Sequence, residues 1–295
     1  MVPRLTLDAL NAATTAEFVA ALEDLFEHTP WVPEAAAAQR PFATVAALHA
    51  ALMRPVLALP PEGRKALLNR FPDLAGKAAR GGTMGAASVS EHAGLGLDRL
   101  SEAEFATFER LNAAYRDRFG FPFMICVRRQ TRDAVLAAFE RRLRHDEATE
   151  LAAALAELGF ITRLRLVERV DGPGAPATAG RLSTHVLDTL RGRGAAGLRV
   201  ELFEVGGSAR ARLAEAVTNA EGRTDAPLLG GAPLRVGRYE LVFHLGAYYA
   251  AAGVALPRQP FLDEVPIRFG IDEPEGHYHV PLVASPWTYT TYRGS

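Results

Sequence analysis

Apolar residues recur at helical spacing through the first half of the sequence. Thr14 and Glu17 have the spacing of a capping box, in which a Thr or Ser hydroxyl and a Glu three residues later satisfy the first backbone amides of a helix. Ser101 and Glu104 repeat this signal. The apolar stripes that follow are Phe18, Val19, Leu22, Leu25 and Phe26 in one case and Phe105, Phe108, Leu111 and Tyr115 in the other. A third stripe spans residues 132–144, so residues 14 to about 166 predict an all-α helical bundle.

In the second half of the sequence, apolar residues recur at every second position. Leu198, Val200 and Leu202 alternate with charged residues, as do Tyr239, Leu241 and Phe243 and then Val265, Ile267, Phe269 and Ile271. Several short strands of this kind, joined by Gly-rich turns, favour an all-β sandwich, with one short helix near residues 247–252. The Gly, Pro and Ala residues between the halves predict a linker, which divides the chain into residues 1–168, a linker over 169–180, and residues 181–295.

Composition narrows the classes of protein to consider. The 295 residues carry a net charge of −1, which gives no electrostatic reason to expect a nucleic-acid or anionic membrane partner. We find no signal peptide and no apolar run of membrane-spanning length. The single cysteine, Cys126, cannot form an internal disulfide and lies in an apolar segment. We interpret it as a small buried residue of a protein in the reducing cytoplasm.

The last residues of the sequence concentrate hydrogen-bonding groups. Tyr292, Arg293, Gly294 and Ser295 follow an apolar, proline-punctuated run, where a polar terminal stub would be the ordinary interpretation. Together with three earlier blocks, this tail resembles 5-hydroxyisourate hydrolase, the transthyretin-like enzyme of purine catabolism. The four blocks in order are residues 182–202, 218–223, 278–282 and 285–295.

That resemblance implies a hydrolytic site without a cofactor. It assigns functional roles to His185, Arg223, His279, Tyr292 and Ser295. The residue types suit hydrolysis of a ring amide, because a histidine activates water near neutral pH and an arginine offers a fixed fork of donors to an anionic oxygen. Either His185 or His279 could be the base. The family also implies a homo-tetramer through this domain, with a tail that a neighbouring subunit pins and that we expect to be ordered.

Zinc is an alternative use of the same histidines. His277 and His279 form a His-x-His pair that could bind a metal together with His185. The site that the resemblance assigns includes no carboxylate or cysteine beside the pair, and the resemblance implies no metal, so we expect neither metal nor cofactor.

The first half resembles 2-oxo-4-hydroxy-4-carboxy-5-ureidoimidazoline (OHCU) decarboxylase, the next enzyme of the same pathway. Six blocks carry the resemblance, namely residues 26–33, 72–77, 88–98, 111–115, 118–126 and 165–166. It implies substrate-binding roles for Pro72, Ser88, Glu91, His92, Phe123, Met124, Ile125, Cys126, Val127 and Arg165, with Glu91 also catalytic.

One position departs from the decarboxylase pattern. The family has a catalytic histidine before Pro-Asp-Leu, and this chain has Phe71, which cannot transfer a proton. Losing a general acid or base typically costs about a hundredfold to ten-thousandfold in rate. His92, where the family has glutamine, is a candidate substitute imidazole, and the sequence does not distinguish natural loss from deliberate replacement.

These features predict a bifunctional enzyme of urate breakdown. The second domain would hydrolyse 5-hydroxyisourate to OHCU, and the first, impaired by Phe71, would decarboxylate OHCU to (S)-allantoin. One alternative is a hydrolase whose α domain is not catalytic. Another is a transthyretin-like carrier of small ligands, which the acid/base residues argue against, because a carrier channel needs apolar walls.

Overall fold

The computed structural model contains two compact units. It describes residues 4–27, 29–75, 91, 93–207 and 209–294. One unit comprises Met1–Arg128 and Val135–Thr178, and the other comprises Arg129–Ala134 and Ala179–Ser295. The first is helical and the second is rich in β-strands, which confirms the predicted order of an all-α domain followed by an all-β one.

The first unit is built from helices with one short pair of strands. The described helices are α1 (Leu7–Ala12), α2 (Thr15–Leu22), α3 (Trp31–Ala37), α4 (Val45–Ala58), α5 (Pro61–Leu68), α6 (Glu102–Phe119), α7 (Arg132–Arg142) and α8 (Glu147–Arg169). Two short 3-10 turns cover Glu23–Phe26 and Val127–Arg129. The strands β1 (Leu5–Thr6) and β2 (Val170–Asp171) pair in parallel.

Local sequence explains where these helices begin and end. The Thr14 hydroxyl accepts a hydrogen bond from the Glu17 amide at 3.3 Å, and the Glu17 carboxylate accepts one from the Thr14 amide at 2.8 Å, so the predicted capping box forms. Ser101 and Glu104 make the same pair of bonds at the start of α6. Gly120 ends α6 with a φ of 77°, a conformation that glycine adopts without steric cost.

The apolar stripes of these helices meet in one core. Phe18, Leu22 and Phe26 from the first stripe are fully buried there, and Phe108 and Tyr115 from α6 join them. Residues 170–174, within the predicted linker, are held by this unit, since the amide of Val45 donates to the Pro173 carbonyl at 3.0 Å. None of the helices that the structure describes has the length and apolar character needed to cross a bilayer.

The second unit contains ten strands among its described residues. They are β3 (Arg181–Ser183), β4 (Val186–Asp188), β5 (Arg193–Gly194), β6 (Arg199–Gly206), β7 (Ala209–Val217), β8 (Gly237–His244), β9 (Glu264–Ile271), β10 (His277–His279), β11 (Leu282–Ser285) and β12 (Thr288–Thr291). A helix, α9 (Leu245–Ala251), lies between β8 and β9, close to its predicted position.

The strands form two four-stranded sheets and a two-stranded one. One sheet is antiparallel with the order β7-β6-β8-β9, and the other has the order β12-β11-β4-β5. The parallel pair β3 and β10 sets Ser183 opposite His279. Alternation is clear in β9, where Val265, Ile267 and Ile271 are buried and the residues between them are mostly exposed. Their apolar face packs in a second core with residues such as Leu202, Leu241 and Phe243.

Candidate active sites

The first unit contains a buried cluster of charges. Arg165, on α8, is 6% exposed and donates two parallel hydrogen bonds to Glu91, at 3.0 Å from Nε to Oε1 and at 2.9 Å from Nη2 to Oε2. Its Nη1 donates to the Glu27 carboxylate at 3.2 Å. Burial lowers the pKa of the Arg165 guanidinium, but the hydrogen bonds and charges of Glu91 and Glu27 outweigh it and raise the pKa above its ordinary value. Arg165 is therefore a fixed cation.

Glu27 is part of this cluster, although the resemblance assigned no role to it within the block of residues 26–33. It follows the 3-10 turn of Glu23–Phe26 and has a φ of 50°, in the left-handed region that side chains other than glycine rarely adopt. Strained backbone of this kind costs about 1–3 kcal/mol and is common at functional sites. The contact with Arg165 spans 138 positions along the chain, so no local pattern could have predicted it.

A pocket opens beside this cluster. The empty space in and at the mouth of this pocket, including open solvent, is about 400 Å³. The lining is mostly apolar. The lining residues are Phe71, Pro72, Leu74, Glu91, Phe123, Met124, Ile125, Val127, Ile161 and Arg165. Among these described residues, only Glu91 and Arg165 are ionisable. Phe71 is 5% exposed and forms part of the apolar wall.

Most of the predicted pocket residues therefore meet in one place. Cys126 is buried and does not line the pocket, and its backbone amide donates to the Glu157 carboxylate at 2.8 Å. Ser88 and His92 lie outside the described residues, so a compensating role for the His92 imidazole stays a prediction. The backbone of the lining segment 123–127 is held in place by Arg142, which donates to the Met124 carbonyl at 2.7 Å.

In the second unit, His185 and Arg223 are direct neighbours. Their backbones form an antiparallel bridge, and a ring nitrogen of His185, Nε2, lies 2.8 Å from the Glu221 carbonyl. The Asn219 side chain shapes the loop that carries Arg223, since its Oδ1 accepts from the amides of Glu221 and Arg223, both at 3.1 Å. Gly222 is required here: its φ is 80°, and a Cβ would lie 2.1 Å from the Val186 carbonyl oxygen.

The tail reaches this site through Gly294. Its amide donates to the His279 carbonyl at 2.9 Å, and the two residues form an isolated bridge. A Cβ at Gly294 would lie 2.6 Å from Cδ2 of the His279 ring, so only glycine fits against the imidazole. The chain's own strand therefore holds the tail as far as Gly294.

Electrostatics place His279 among the other site residues. Burial and then the charge of Arg223, with smaller effects of His277 and His185, lower the pKa of the His279 imidazole. The strand register brings these residues together, because His279 pairs with Ser183, two residues before His185, and His185 bridges to Arg223. An uncharged imidazole at neutral pH can exchange protons with water or substrate, while Arg223 supplies positive charge.

Family comparisons match both halves of the chain. The model of OHCU decarboxylase matches residues 11–167, and that of the HIUase/transthyretin family matches residues 182–294. The chain belongs to both families. Its first unit carries the OHCU decarboxylase domain, and its second unit carries the HIUase/transthyretin domain.

Individual relatives agree with this assignment. A 5-hydroxyisourate hydrolase of Rhizobium meliloti is 54% identical over 117 residues, which cover 40% of this chain and 98% of the relative. An OHCU decarboxylase of Haloferax volcanii is 43% identical over 165 residues, which cover 56% of this chain and 96% of the relative. The solved structure of an (S)-allantoin synthase is similar over 99% of this chain and 100% of its own, with 35% identity and a TM-score of 0.53.

One predicted residue of the HIUase/transthyretin domain, Tyr292, does not join His279 in the described contacts. The side chain of Tyr292 is largely exposed and lines a groove along β9, together with residues such as Phe269 and Tyr278. Ser295 lies outside the described residues. Ser183, which was not predicted, does join the site, since its hydroxyl is 2.9 Å from Nδ1 of His279. Within the described part of the chain, no three His, Cys, Asp or Glu side chains cluster as metal ligands would.

Proposed function

We propose that this chain carries out two consecutive steps of urate breakdown. The HIUase/transthyretin domain would hydrolyse 5-hydroxyisourate to OHCU, and the OHCU decarboxylase domain would convert OHCU to (S)-allantoin. The relatives of each half bear the names of these two activities, and the similar (S)-allantoin synthase extends over nearly the whole chain.

The observation that carries the hydrolase proposal is the convergence of His185, Arg223 and His279. In the proposed reaction a histidine takes a proton from water, and the resulting hydroxide adds to a ring carbonyl carbon. Negative charge then develops on the carbonyl oxygen, which the Arg223 guanidinium stabilises. The ring C–N bond breaks, and the proton passes to the departing nitrogen. The tail residues Tyr292 and Ser295 are proposed to orient substrate or water.

Reversing the charge of Arg223 tests this assignment. We expect Arg223→Glu to abolish turnover of 5-hydroxyisourate above its spontaneous decay, followed by the loss of substrate absorbance. Arg258→Glu, at an exposed arginine after α9, serves as the charge-matched control and should leave the rate unchanged. Full activity of Arg223→Glu would show that the hydrolase assignment is wrong.

The decarboxylase proposal depends on the pocket beside Arg165. A buried, permanently charged guanidinium suits the carboxylate or a carbonyl of OHCU, and Glu91 suits the ring nitrogens. Loss of CO2 leaves an electron pair on the ring carbon, which must take up one proton. Phe71 cannot supply that proton, so we propose that this step is impaired.

The apolar wall around Phe71 favours a second candidate for the first domain, in which it binds the intermediate without turning it over. The two candidates differ in the stereochemistry of the product. Circular dichroism of allantoin formed from 5-hydroxyisourate separates them: an excess of the (S) enantiomer, formed faster than spontaneous decay, supports catalysis, and a racemic product supports binding only. The remaining alternative is a transthyretin-like carrier of small ligands. No observation on the described residues favours it.

We also propose a homo-tetramer formed through the second domain. Apolar side chains around β12 support this, because Trp287, Tyr289 and Tyr292 are 53%, 43% and 59% exposed, and exposed aromatic patches mark interaction surfaces. Light scattering during size-exclusion chromatography should give four times the monomer mass. The buried Cys126 thiol fits a reducing compartment, and we propose the cytoplasm, which cell fractionation tests.

A further inference from the structure

A line of hydrogen bonds connects the surface of the second unit to His279. The Ser183 hydroxyl lies between two imidazoles, 3.0 Å from Nε2 of His277 and 2.9 Å from Nδ1 of His279. Beyond it, Nη2 of Arg181 is 3.2 Å from Nδ1 of His277. The parallel register of β3 and β10 creates this line, since it pairs Arg181 with His277 and Ser183 with His279.

The chemistry of Arg181 fixes the direction of every bond in the line. A guanidinium has donors and no acceptor, so Nδ1 of His277 must accept and carries no proton. A neutral His277 then has its proton on Nε2 and donates it to Ser183. The Ser183 hydroxyl, having accepted, donates its own proton to Nδ1 of His279. His279 is therefore left with its proton on Nε2.

His185 is fixed in the same tautomer by a different partner. Its Nε2 is 2.8 Å from the Glu221 carbonyl oxygen, which can only accept, so Nε2 carries the proton. The unprotonated nitrogen of a neutral His185 is then Nδ1. In His279 the nitrogen that already has a hydrogen-bond partner is Nδ1, so Nε2–H is left as a donor to substrate. In His185 that nitrogen is Nε2, so Nδ1 is left as an acceptor.

We propose that Ser183, with His277 and Arg181 behind it, is a positioning residue that holds His279 as a neutral hydrogen-bond donor and leaves His185 as the general base. This inference rests on the proposed hydrolase function and assigns roles within it. His185 Nδ1 takes the proton of water, the hydroxide adds to the ring carbonyl carbon, and the same proton then passes to the departing ring nitrogen. His279 Nε2–H donates to a substrate oxygen throughout.

The surrounding charges favour uncharged histidines in the line. Burial first, and then Arg181, lower the pKa of His277, while burial and Arg223 lower that of His279. Among the described residues, the charged and titratable groups that affect the pair are Arg181, Arg223 and His185. A second proton on either ring would oppose these charges and reverse a bond in the line.

Nitrogen-15 NMR of the full-length protein tests the tautomers directly. In the wild type we expect His279 and His185 both to show protonated Nε2 and bare Nδ1. Ser183→Ala removes the donor to His279 and should produce a mixture of its two tautomers, while His185 keeps its signal. A wild-type His279 with its proton on Nδ1 would overturn the proposal, and this spectrum is informative even if 5-hydroxyisourate proves not to be the substrate.

Kinetics provide the second readout. Ser183→Ala should lower kcat about tenfold to a hundredfold, the usual effect of losing the partner that orients a functional histidine, with little change in KM. Thr189→Val is the matched control, because the Thr189 hydroxyl donates to the Ala284 carbonyl at 2.9 Å and takes no part in the line. It should leave kcat unchanged.

Variants of His277 separate positioning from general damage to the fold. His277→Gln keeps an N–H that can donate to Ser183 and should retain most of the activity, whereas His277→Leu should behave like Ser183→Ala. Equal melting temperatures for the variants confirm that folding is preserved. If Ser183→Ala and His277→Leu both keep the wild-type kcat and pH profile, Ser183 has no positioning role.

Discussion

The proposal that decarboxylation is impaired in the first domain depends on a single side chain, Phe71. It is 5% exposed in a pocket whose described lining offers only Glu91 and Arg165 as ionisable groups. Phe71→His would place an imidazole in the wall of this pocket. We expect the formation of (S)-allantoin from OHCU to rise by about a hundredfold or more, within the range of general acid/base catalysis, as measured by circular dichroism.

Phe71→Tyr is the control for this change. It adds a polar atom at the same place, but a phenol has an ordinary pKa of about 10 and is a poor proton donor to a carbanion at neutral pH. Its rate should stay near that of the wild type. Equal rates for Phe71→His and the wild type would mean that another group already transfers the proton.

Gly294 matters to the second site because it has no side chain and so leaves room for the His279 ring. A Cβ there would lie 2.6 Å from the His279 ring, so Gly294→Ala must displace either the tail or the imidazole. We expect hydrolase kcat to fall by about tenfold to a hundredfold, since such displacements misalign the reacting groups. Gly230→Ala is the matched control, because its added Cβ would meet nothing closer than 3.7 Å. Unchanged turnover by Gly294→Ala would separate the tail from catalysis.

At the scale of elements, two of the ion pairs on α8 differ strongly in burial. Glu150 is fully buried and accepts from Arg142 at 2.6 Å, and it also bonds the Tyr115 hydroxyl. Glu150→Ala leaves Arg142 buried without its carboxylate, and we expect the first domain to lose about 3–5 kcal/mol of stability. Its chemical or thermal unfolding, followed by circular dichroism at a helix band, measures this loss.

Glu147, one turn earlier on α8, provides the comparison. It pairs with Lys65 at 2.5 Å, but its side chain is 59% exposed, and exposed pairs contribute about 0–1 kcal/mol. Glu147→Ala should therefore shift the unfolding transition only slightly. Similar losses from both substitutions would contradict the claim that burial decides the effect.

We expect the stability of the second unit to depend on pH through Glu201, a carboxylate of the antiparallel sheet. Hydrogen bonds from Arg212 and then His244, each at 2.8 Å, hold the pKa of Glu201 at about 2, below its ordinary value of 4.5. A lowered pKa in the folded state means that this carboxylate stabilises the domain above pH 4.5 and that the contribution is lost as the pH falls from 4.5 towards 2.

Glu201→Gln removes that contribution. The variant should lose less stability than the wild type between pH 4.5 and 2, as followed by thermal unfolding of the second unit. Glu264→Gln, at a carboxylate that is 59% exposed on β9, should keep the wild-type slope. A wild-type slope in Glu201→Gln would place the acid sensitivity elsewhere.

Sequence patterns predicted the elements better than the contacts between them. Capping boxes and apolar periods act over a few residues, so the starts of α2 and α6 and the strand β9 were predictable. Ser183 meets His279 across 96 positions, and Glu27 meets Arg165 across 138. These contacts depend on strand register and helix packing. The resemblance assigned roles to Arg165 and His279 only, and the fold showed that Glu27 and Ser183 are their partners.

At the scale of the whole molecule, each domain has its own core and its own candidate site. We therefore expect the two steps to be separable. When a separate 5-hydroxyisourate hydrolase supplies OHCU, Arg223→Glu should form allantoin at the wild-type rate, with the same excess of one enantiomer, although it cannot hydrolyse 5-hydroxyisourate itself. A proportional fall in both steps would show that the sites depend on each other.

The solitary, buried Cys126 has a practical consequence. Its side chain is 1% exposed, so thiol-reactive probes will meet almost no background reactivity in the folded chain. Cysteines introduced at exposed positions such as Leu57 and Leu190, one in each unit, can therefore carry a fluorescent or spin label without first removing a native thiol. Pairs of such labels would measure the distance between the decarboxylase and hydrolase domains while the enzyme works.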